Sequence, residues 1–246
     1  MSDRPGATDV TAASRALDIA LSGIGIILAS PVVLLIVLAI LIESGRPVFF
    51  AQTRLGQHGR HFRLFKFRKF RNGAGEAGRP LTLRDDDRLS RVGRFLEASK
   101  LDELPQLYNI LKGDMAVVGP RPESRAFADC FHGESRAILD FRPGVFGPSQ
   151  VAFRNENAFY TPSTEPIRLY RQVLFPSKAR LDLSYYPNRT LISDCMWVVR
   201  GVLAVAGMHK ELVINMPLQA EQPPAARQAH GIGGTTTAAP RFQAQI

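Results

Sequence analysis

The chain has 246 residues, with 31 lysines and arginines against 22 aspartates and glutamates, a formal charge of +9. That length suits one or two domains with a real core, and the cationic surplus points to an anionic partner: nucleic acid, nucleotide or acidic headgroups. Two distant cysteines, Cys130 and Cys195, exclude a disulfide scaffold and a cysteine zinc site, and the 5 histidines lack metal-ligand spacing.

Residues 1–14 are small and polar and read as disordered. Residues 15–43 read as a membrane helix. Its uncharged run, Ile19 to Ile42, would reach about 36 Å as a helix, against a hydrocarbon core of about 30 Å. The run is too long for the apolar part of a signal peptide, and no small-residue cleavage site follows it. Ser30-Pro31 lies at its midpoint, where proline removes one backbone hydrogen bond. Two topologies follow: a kinked crossing helix, or a re-entrant hairpin that leaves on the side it entered, with Ser30 satisfying the freed carbonyl. The basic segment after the run (Arg54, Arg60, Arg63, Lys66, Arg68, Lys69, Arg71) is cytoplasmic by the positive-inside rule.

Residues 44–210 form the globular part. VFFAQTRLG and HFRLFKFRKF flank the turn-like Gly56-Gln57-His58-Gly59 and predict a hairpin. Phe65 and Phe67 alternate with Lys66 and Arg68, but Phe62 and Leu64 are out of that phase, which predicts a bulge near Leu64-Phe65. The basic-aromatic run could stack on single-stranded nucleic acid. Its place just after a membrane segment favours an active site or lipid headgroups instead. Asn72 to Pro80 is a glycine-rich loop. Helical patterns cover Ser90 to Ala98, Asp102 to Leu111 (closed by Gly113), Ser124 to Leu139, Pro166 to Asp182 and Thr190 to Val205, with a turn-rich loop from Arg142 to Ser149. Residues 217–246 are Ala, Gln, Pro, Gly and Thr and read as a disordered tail.

The chemistry concentrates in KLDELPQLYNILKGDMAVVGPRPE, Lys100 to Glu123. Asp102 and Glu103 precede an apolar helical pattern, with Pro105 in its first turn. Taken alone, Asp-Glu-Leu-Pro is a good helix cap. A helix start also suits phosphate, and adjacent acids point about 100° apart on a helix. One carboxylate could then attack phosphorus while the other holds a divalent metal. Arg121, held between two prolines, presents a guanidinium rigidly enough for bidentate phosphate binding.

These residues resemble the bacterial sugar transferases, the monotopic phosphoglycosyl transferases also called undecaprenyl-phosphate sugar phosphotransferases. The resemblance spans roughly Arg15 to Val205. Its strongest element is LDELPQLYNILKGDMAVVGPRPE, supported by RALDIALSGIGIILASPVVLL, PVFFAQTRLGQHGRHFRLFKFRKFR, RPGVFGPSQVAFRNE and RLDLSYYPNRTLISDCMWVV. It implies Mg²⁺-dependent transfer of a sugar 1-phosphate from a UDP-sugar to polyprenyl phosphate, releasing UMP. Asp102 matches the nucleophile that forms a covalent aspartyl-phosphosugar. Glu103 matches its acidic neighbour, associated with the metal, and the metal set is Asp102 with Glu103. Arg121 matches a phosphate-contacting arginine. Lys66, with Arg68, falls in a basic motif near the active site, and Lys100 joins them as a phosphate contact. Ser30-Pro31 matches the break where the helix re-enters the membrane.

The fold implied is α/β: a compact helix-rich globular domain with a small β-hairpin or sheet. A re-entrant N-terminal helix and amphipathic interfacial helices would seat it on the cytoplasmic face of the bacterial inner membrane. Its partners would be UDP-sugar, polyprenyl phosphate and membrane lipids, without nucleic acid; a homo-oligomer is left open. The chain departs from the family pattern at Glu97, where arginine is usual, and at Lys100, where Ser or Thr is usual. The segment Asn155 to Glu165 is longer than in the simplest members, and residues 145–165 are expected to shape the sugar pocket. Competing readings are a catalytically silent membrane scaffold of the same fold and a membrane-tethered nucleic-acid binder. The intact acid pair argues against both.

Overall fold

The structure is a computed structural model, and it describes residues 12–73, 81–83, 86–160 and 165–208. Most of the expected glycine-rich loop, the tail and nearly all of residues 1–14 lie outside the described residues.

The first helix, α1 (Ala12–Ser44), begins within the segment expected to be disordered and runs for 33 residues, about 50 Å, with Pro31 inside it. The carbonyl that Pro31 cannot serve is that of Ile27, and Ser30 Oγ donates to it at 2.8 Å. Ile27, Leu28, Leu34 and Leu35 are exposed, whereas the buried positions lie toward the two ends: Asp18 and Ser22, then Ile36 and Ile40.

The hairpin forms as the turn residues require. β1 (Phe49–Leu55) and β2 (His61–Phe67) pair antiparallel from Phe49↔Phe67 to Leu55↔His61. The connecting turn bends through His58 (φ 56) and Gly59 (φ 73). The register is unbroken, so the expected bulge at Leu64-Phe65 is absent. The phase change has another cause: both faces of β2 are covered. Phe62 and Leu64 pack toward Ile110, Met115 and Tyr186, while Phe67 packs on Ile36, Ile40 and Leu96. A strand buried on both sides shows no single apolar phase.

α2 (Arg91–Ser99) starts at the Ser90 cap, whose side chain accepts from Gly93 N at 2.8 Å. The helix expected from Asp102 begins only at Gln106. Leu101–Glu103 is a 3₁₀ turn, and α3 (Gln106–Lys112) follows, closed by Gly113 at φ 94. β3 (Ala116–Val118) pairs parallel with β4 (Gly144–Phe146), which replaces the expected loop, and α4 (Pro148–Ala152) continues from it. The backbones meet tightly here: a Cβ on Gly119 would stand 2.2 Å from Arg142 O. Only glycine permits that approach.

The segment read as a helix from Ser124 to Leu139 is instead two 3₁₀ stretches, Arg125–Cys130 and Gly133–Asp140, separated at Gly133 (φ 53). Its apolar spacing of three, Phe127 to Cys130, suits that tighter coil. α5 (Pro166–Leu169) and α6 (Phe175–Tyr185) are joined by a π turn, Tyr170–Leu174, just before Pro176, which cannot donate a backbone hydrogen bond. α7 (Leu191–Val205) opens with a capping box at Thr190 and Ser193. The described residues thus form a helix-rich unit with two two-stranded sheets.

α1 docks on this unit at both ends. Arg15 donates to Ile110 O (2.6 Å), which also accepts from Gly113 N, and to Leu111 O (2.7 Å), carbonyls in the last turn of α3. Asp18 Oδ1 accepts from Val117 N at 2.8 Å. At the other end, Glu43 accepts from Arg91 N (2.6 Å) and Val92 N (3.1 Å), capping α2. Arg68 in turn donates to Ser44 O (3.1 Å) and Gly45 O (2.8 Å), capping α1.

Candidate active site

Three local devices bring the acids and cations together. Alternation along β2 puts Lys66 on the face of Phe62 and Leu64. Lys100, in the left-handed region at φ 60, ends α2 and swings the chain into the 3₁₀ turn that carries Asp102 and Glu103. The buried Asn109 then holds α3 against the edge of β2. Its amide donates to Arg63 O (2.7 Å) and accepts from Phe65 N (3.0 Å), taking the place of a third strand.

Lys66 Nζ accordingly lies 2.6 Å from Glu103 Oε1 and 3.7 Å from Asp102 Oδ2. Arg121 Nη2, from the Gly-Pro-Arg-Pro turn after β3, lies 3.7 Å from the same Glu103 oxygen. Burial pushes the Glu103 carboxyl up, but Lys66 and Arg121 outweigh it and hold the group well below the usual carboxylate range. Burial pushes the Lys69 and Lys100 ammonium groups below the usual lysine value.

Asp102 does not cap a helix. Its side chain is only 4% exposed, and its Oδ1 is buried with no hydrogen-bond partner. Buried carboxylate oxygens are normally satisfied; Asp18 Oδ2 is also unpartnered, but of the two only Asp102 lines a cleft beside a lysine.

Asp102, Glu103, Lys66, Lys100 and Arg121 line one cleft of about 720 Å³, large enough for a nucleotide-sized ligand. Arg68 borders the cleft, but its guanidinium is bound to the end of α1 and to Asn72. Strand alternation no longer governs its direction, because β2 ends at Phe67. Ser30 and Pro31 lie on the exposed middle of α1, outside the cleft. Glu97 stands 3.6 Å from Lys69, another cleft residue, so the departure from the family pattern makes an ion pair.

The far wall went unread in the sequence, apart from the expectation that residues 145–165 shape it. It contains Phe153, Arg154, Glu156, Tyr160 and Lys178. The only available signal was the Arg-Asn-Glu ending of RPGVFGPSQVAFRNE.

No group of three or more His, Cys, Asp or Glu side chains is clustered for a metal among the described residues. Magnesium does not require one, since it binds through one or two carboxylates plus water and substrate phosphate. The unpartnered Asp102 Oδ1 and the adjacent Glu103 fit that donor set.

Residues 10–208 match the family model described as bacterial sugar transferase. The chain is 36% identical over 191 residues to the UDP-glucose:undecaprenyl-phosphate glucose-1-phosphate transferase of Caulobacter vibrioides, covering 76% of this chain and 67% of that protein. It is 42% identical over 196 residues to the UDP-N-acetylgalactosamine-undecaprenyl-phosphate N-acetylgalactosaminephosphotransferase of Aeromonas hydrophila, covering 78% of this chain but 43% of that protein. A galactosyl transferase of Streptococcus agalactiae is 36% identical over 154 residues, covering 58% of this chain and 34% of that protein.

Proposed function

Because the chain belongs to the bacterial sugar transferase family, we propose that it transfers a sugar 1-phosphate from a UDP-sugar to a polyprenyl phosphate such as undecaprenyl phosphate. The product would be a polyprenyl-diphosphate-sugar, the first lipid-linked unit of a surface polysaccharide or glycoconjugate. The observation that carries this reading is the buried, unpartnered Oδ1 of Asp102 in a cationic cleft.

In the proposed reaction, Asp102 Oδ1 attacks the β-phosphorus of the donor. The bond from that phosphorus to the bridging oxygen breaks, UMP leaves, and an aspartyl-phosphosugar remains. A polyprenyl phosphate oxygen then attacks the same phosphorus and frees Asp102. A carboxylate is competent in both steps once the charge it approaches is offset. Lys66 and Arg121 are placed to offset it, and Glu103 fixes both cations. Magnesium bound at Asp102 and Glu103 would supply further neutralisation of the diphosphate.

Both ends of α1 dock on one unit, which supports a re-entrant path on the cytoplasmic face. From Gly25, where an added Cβ would stand 3.3 Å from Leu107, to the buried Ile36, the helix advances only about 16 Å. That is about half the hydrocarbon thickness. The exposed stripe Ile192, Met196, Val199 and Leu203 on α7 supports an amphipathic second contact with the bilayer.

The test is UMP release from a panel of UDP-sugars, with Mg²⁺ and undecaprenyl phosphate, by the full chain in nanodiscs. Wild type is expected to release UMP from at least one donor, and Asp102→Asn to be slower by about 1000-fold or more at unchanged Tm. Turnover by Asp102→Asn near the wild-type rate would remove Asp102 as nucleophile. No UMP from any donor with folded wild type would overturn the activity.

A further inference from the structure

The wall of the cleft opposite the acid pair holds charges that the proposed reaction does not use. Lys178, on α6, is almost wholly buried, and its ammonium pairs with Glu156 Oε2. Glu156 Oε1 accepts from Tyr160 OH at 2.5 Å. The ammonium also stands over two ring faces, 4.7 Å from the Tyr170 centroid and 5.8 Å from that of Phe153. Glu156, Lys178, Phe153 and Tyr160 all line the cleft that contains Asp102. Arg121 joins the two ends, because both Glu103 and Glu156 act on its charge.

A buried ion pair serving only to hold a turn is costly, and apolar side chains of the same volume do that job as well or better. This pair also keeps hydrogen-bonding capacity in reserve. An ammonium has three donors, of which one goes to Glu156, and each carboxylate oxygen can accept a second hydrogen bond. A donor and an acceptor side by side, next to aromatic faces, match a pair of neighbouring hydroxyls on a sugar ring. One hydroxyl donates to Glu156 while the other accepts from Lys178. An acidic sugar would set its carboxylate against Glu156.

From this arrangement, and resting on the reaction proposed above, we infer that Glu156 and Lys178 read the hydroxyls of a neutral hexose on the donor and so determine donor choice.

The experiment measures kcat/KM for UMP release in nanodiscs, with the preferred UDP-hexose and its analogues lacking the hydroxyl at C3, C4 or C6. Wild type, Lys178→Met and Glu156→Gln are compared. In wild type, at least one deoxy donor should be worse than the parent by about tenfold or more, the size of one hydrogen bond to a charged group. In Lys178→Met or Glu156→Gln that penalty should fall below about threefold, because the charged partner of the missing hydroxyl is already gone. A purely structural pair would instead lower every donor in parallel and leave the penalties unchanged, which overturns the inference. Should neither variant fold, the wild-type panel decides: without a tenfold deoxy penalty the inference fails. Wild type inactive on every donor would instead strike the proposed reaction, and this reading with it.

Discussion

Lys66 serves two acids at once, and the cost of removing it should appear away from neutral pH as well as in catalysis. It touches Glu103 at 2.6 Å and Asp102 at 3.7 Å. Glu103 titrates below its unfolded value of about 4.3, so its charged form contributes stability that is fully present above that pH. That contribution is lost as the pH falls below about 4.3 toward the folded value. Lys66→Met takes away the nearer cation and lets the folded value rise. The acid midpoint of unfolding, followed by circular dichroism, should therefore move to higher pH by about one unit or more, and turnover at neutral pH should fall by about 100-fold. An unmoved acid midpoint would show that Arg121 and Lys100 hold Glu103 without Lys66. Asp102, Glu103 and Arg121 were legible as a group because they lie in one short segment, whereas Lys66, on a separate strand, was joined to them through the family resemblance. The Glu156–Lys178 pair was not legible. Its members lie 22 positions apart, and a buried lysine has the same letter as a solvated one.

Between elements, the contacts that set the cleft are backbone-close. α2 lies so near the chain after β2 that a Cβ on Gly93 would stand 1.8 Å from Lys69 O. Gly93→Ala should destabilise the fold by about 3 kcal/mol, measured as loss of Tm, because neither partner in that clash is a flexible side chain. On the opposite wall, Asp182 of α6 accepts from Ser149 N (3.2 Å) and Ser149 Oγ (2.9 Å), fixing the start of α4. Burial pushes the Asp182 carboxyl up to about 7. Its folded value lies above the unfolded value of about 3.9, so the native state keeps a proton that the unfolded chain gives up. Stability should fall as the pH rises from about 4 to about 7, then level off. Asp182→Asn should flatten that slope in a Tm series across the same range; an unchanged slope would assign it to other groups. The hairpin and α2 could be read from turn residues and caps. β4 could not, since the Gly119–Gly144 approach acts through tertiary position, and the 3₁₀ stretches part at Gly133, whose positive φ is a local choice that an apolar pattern does not announce.

Among the described residues, the longest runs of exposed apolar side chains lie on α1 and α7. Ile192 is 78% exposed and Val199 58%, so replacing both by serine removes no internal packing. The double variant should keep its Tm in detergent yet be released several-fold more readily from membranes by an alkaline carbonate wash. Equal release would leave α1 as the sole anchor. The long apolar run announced α1. That both its ends return to one body was settled by single side chains, Arg15 and Glu43, which hydropathy does not weigh.

β2 is a seam sewn from both sides. From Phe62 to Phe67 successive residues answer to different neighbours: the inner core, α1, the Asn109 clamp and the acid pair. Apart from Arg63, whose side chain is exposed, a change from Phe62 to Phe67 disturbs one neighbour or another. The opposite wall is held differently, by the buried Glu156–Lys178 pair and by Asp182 on Ser149. On the reaction proposed above, phosphate handling and sugar recognition would therefore fall on separate pieces of the chain.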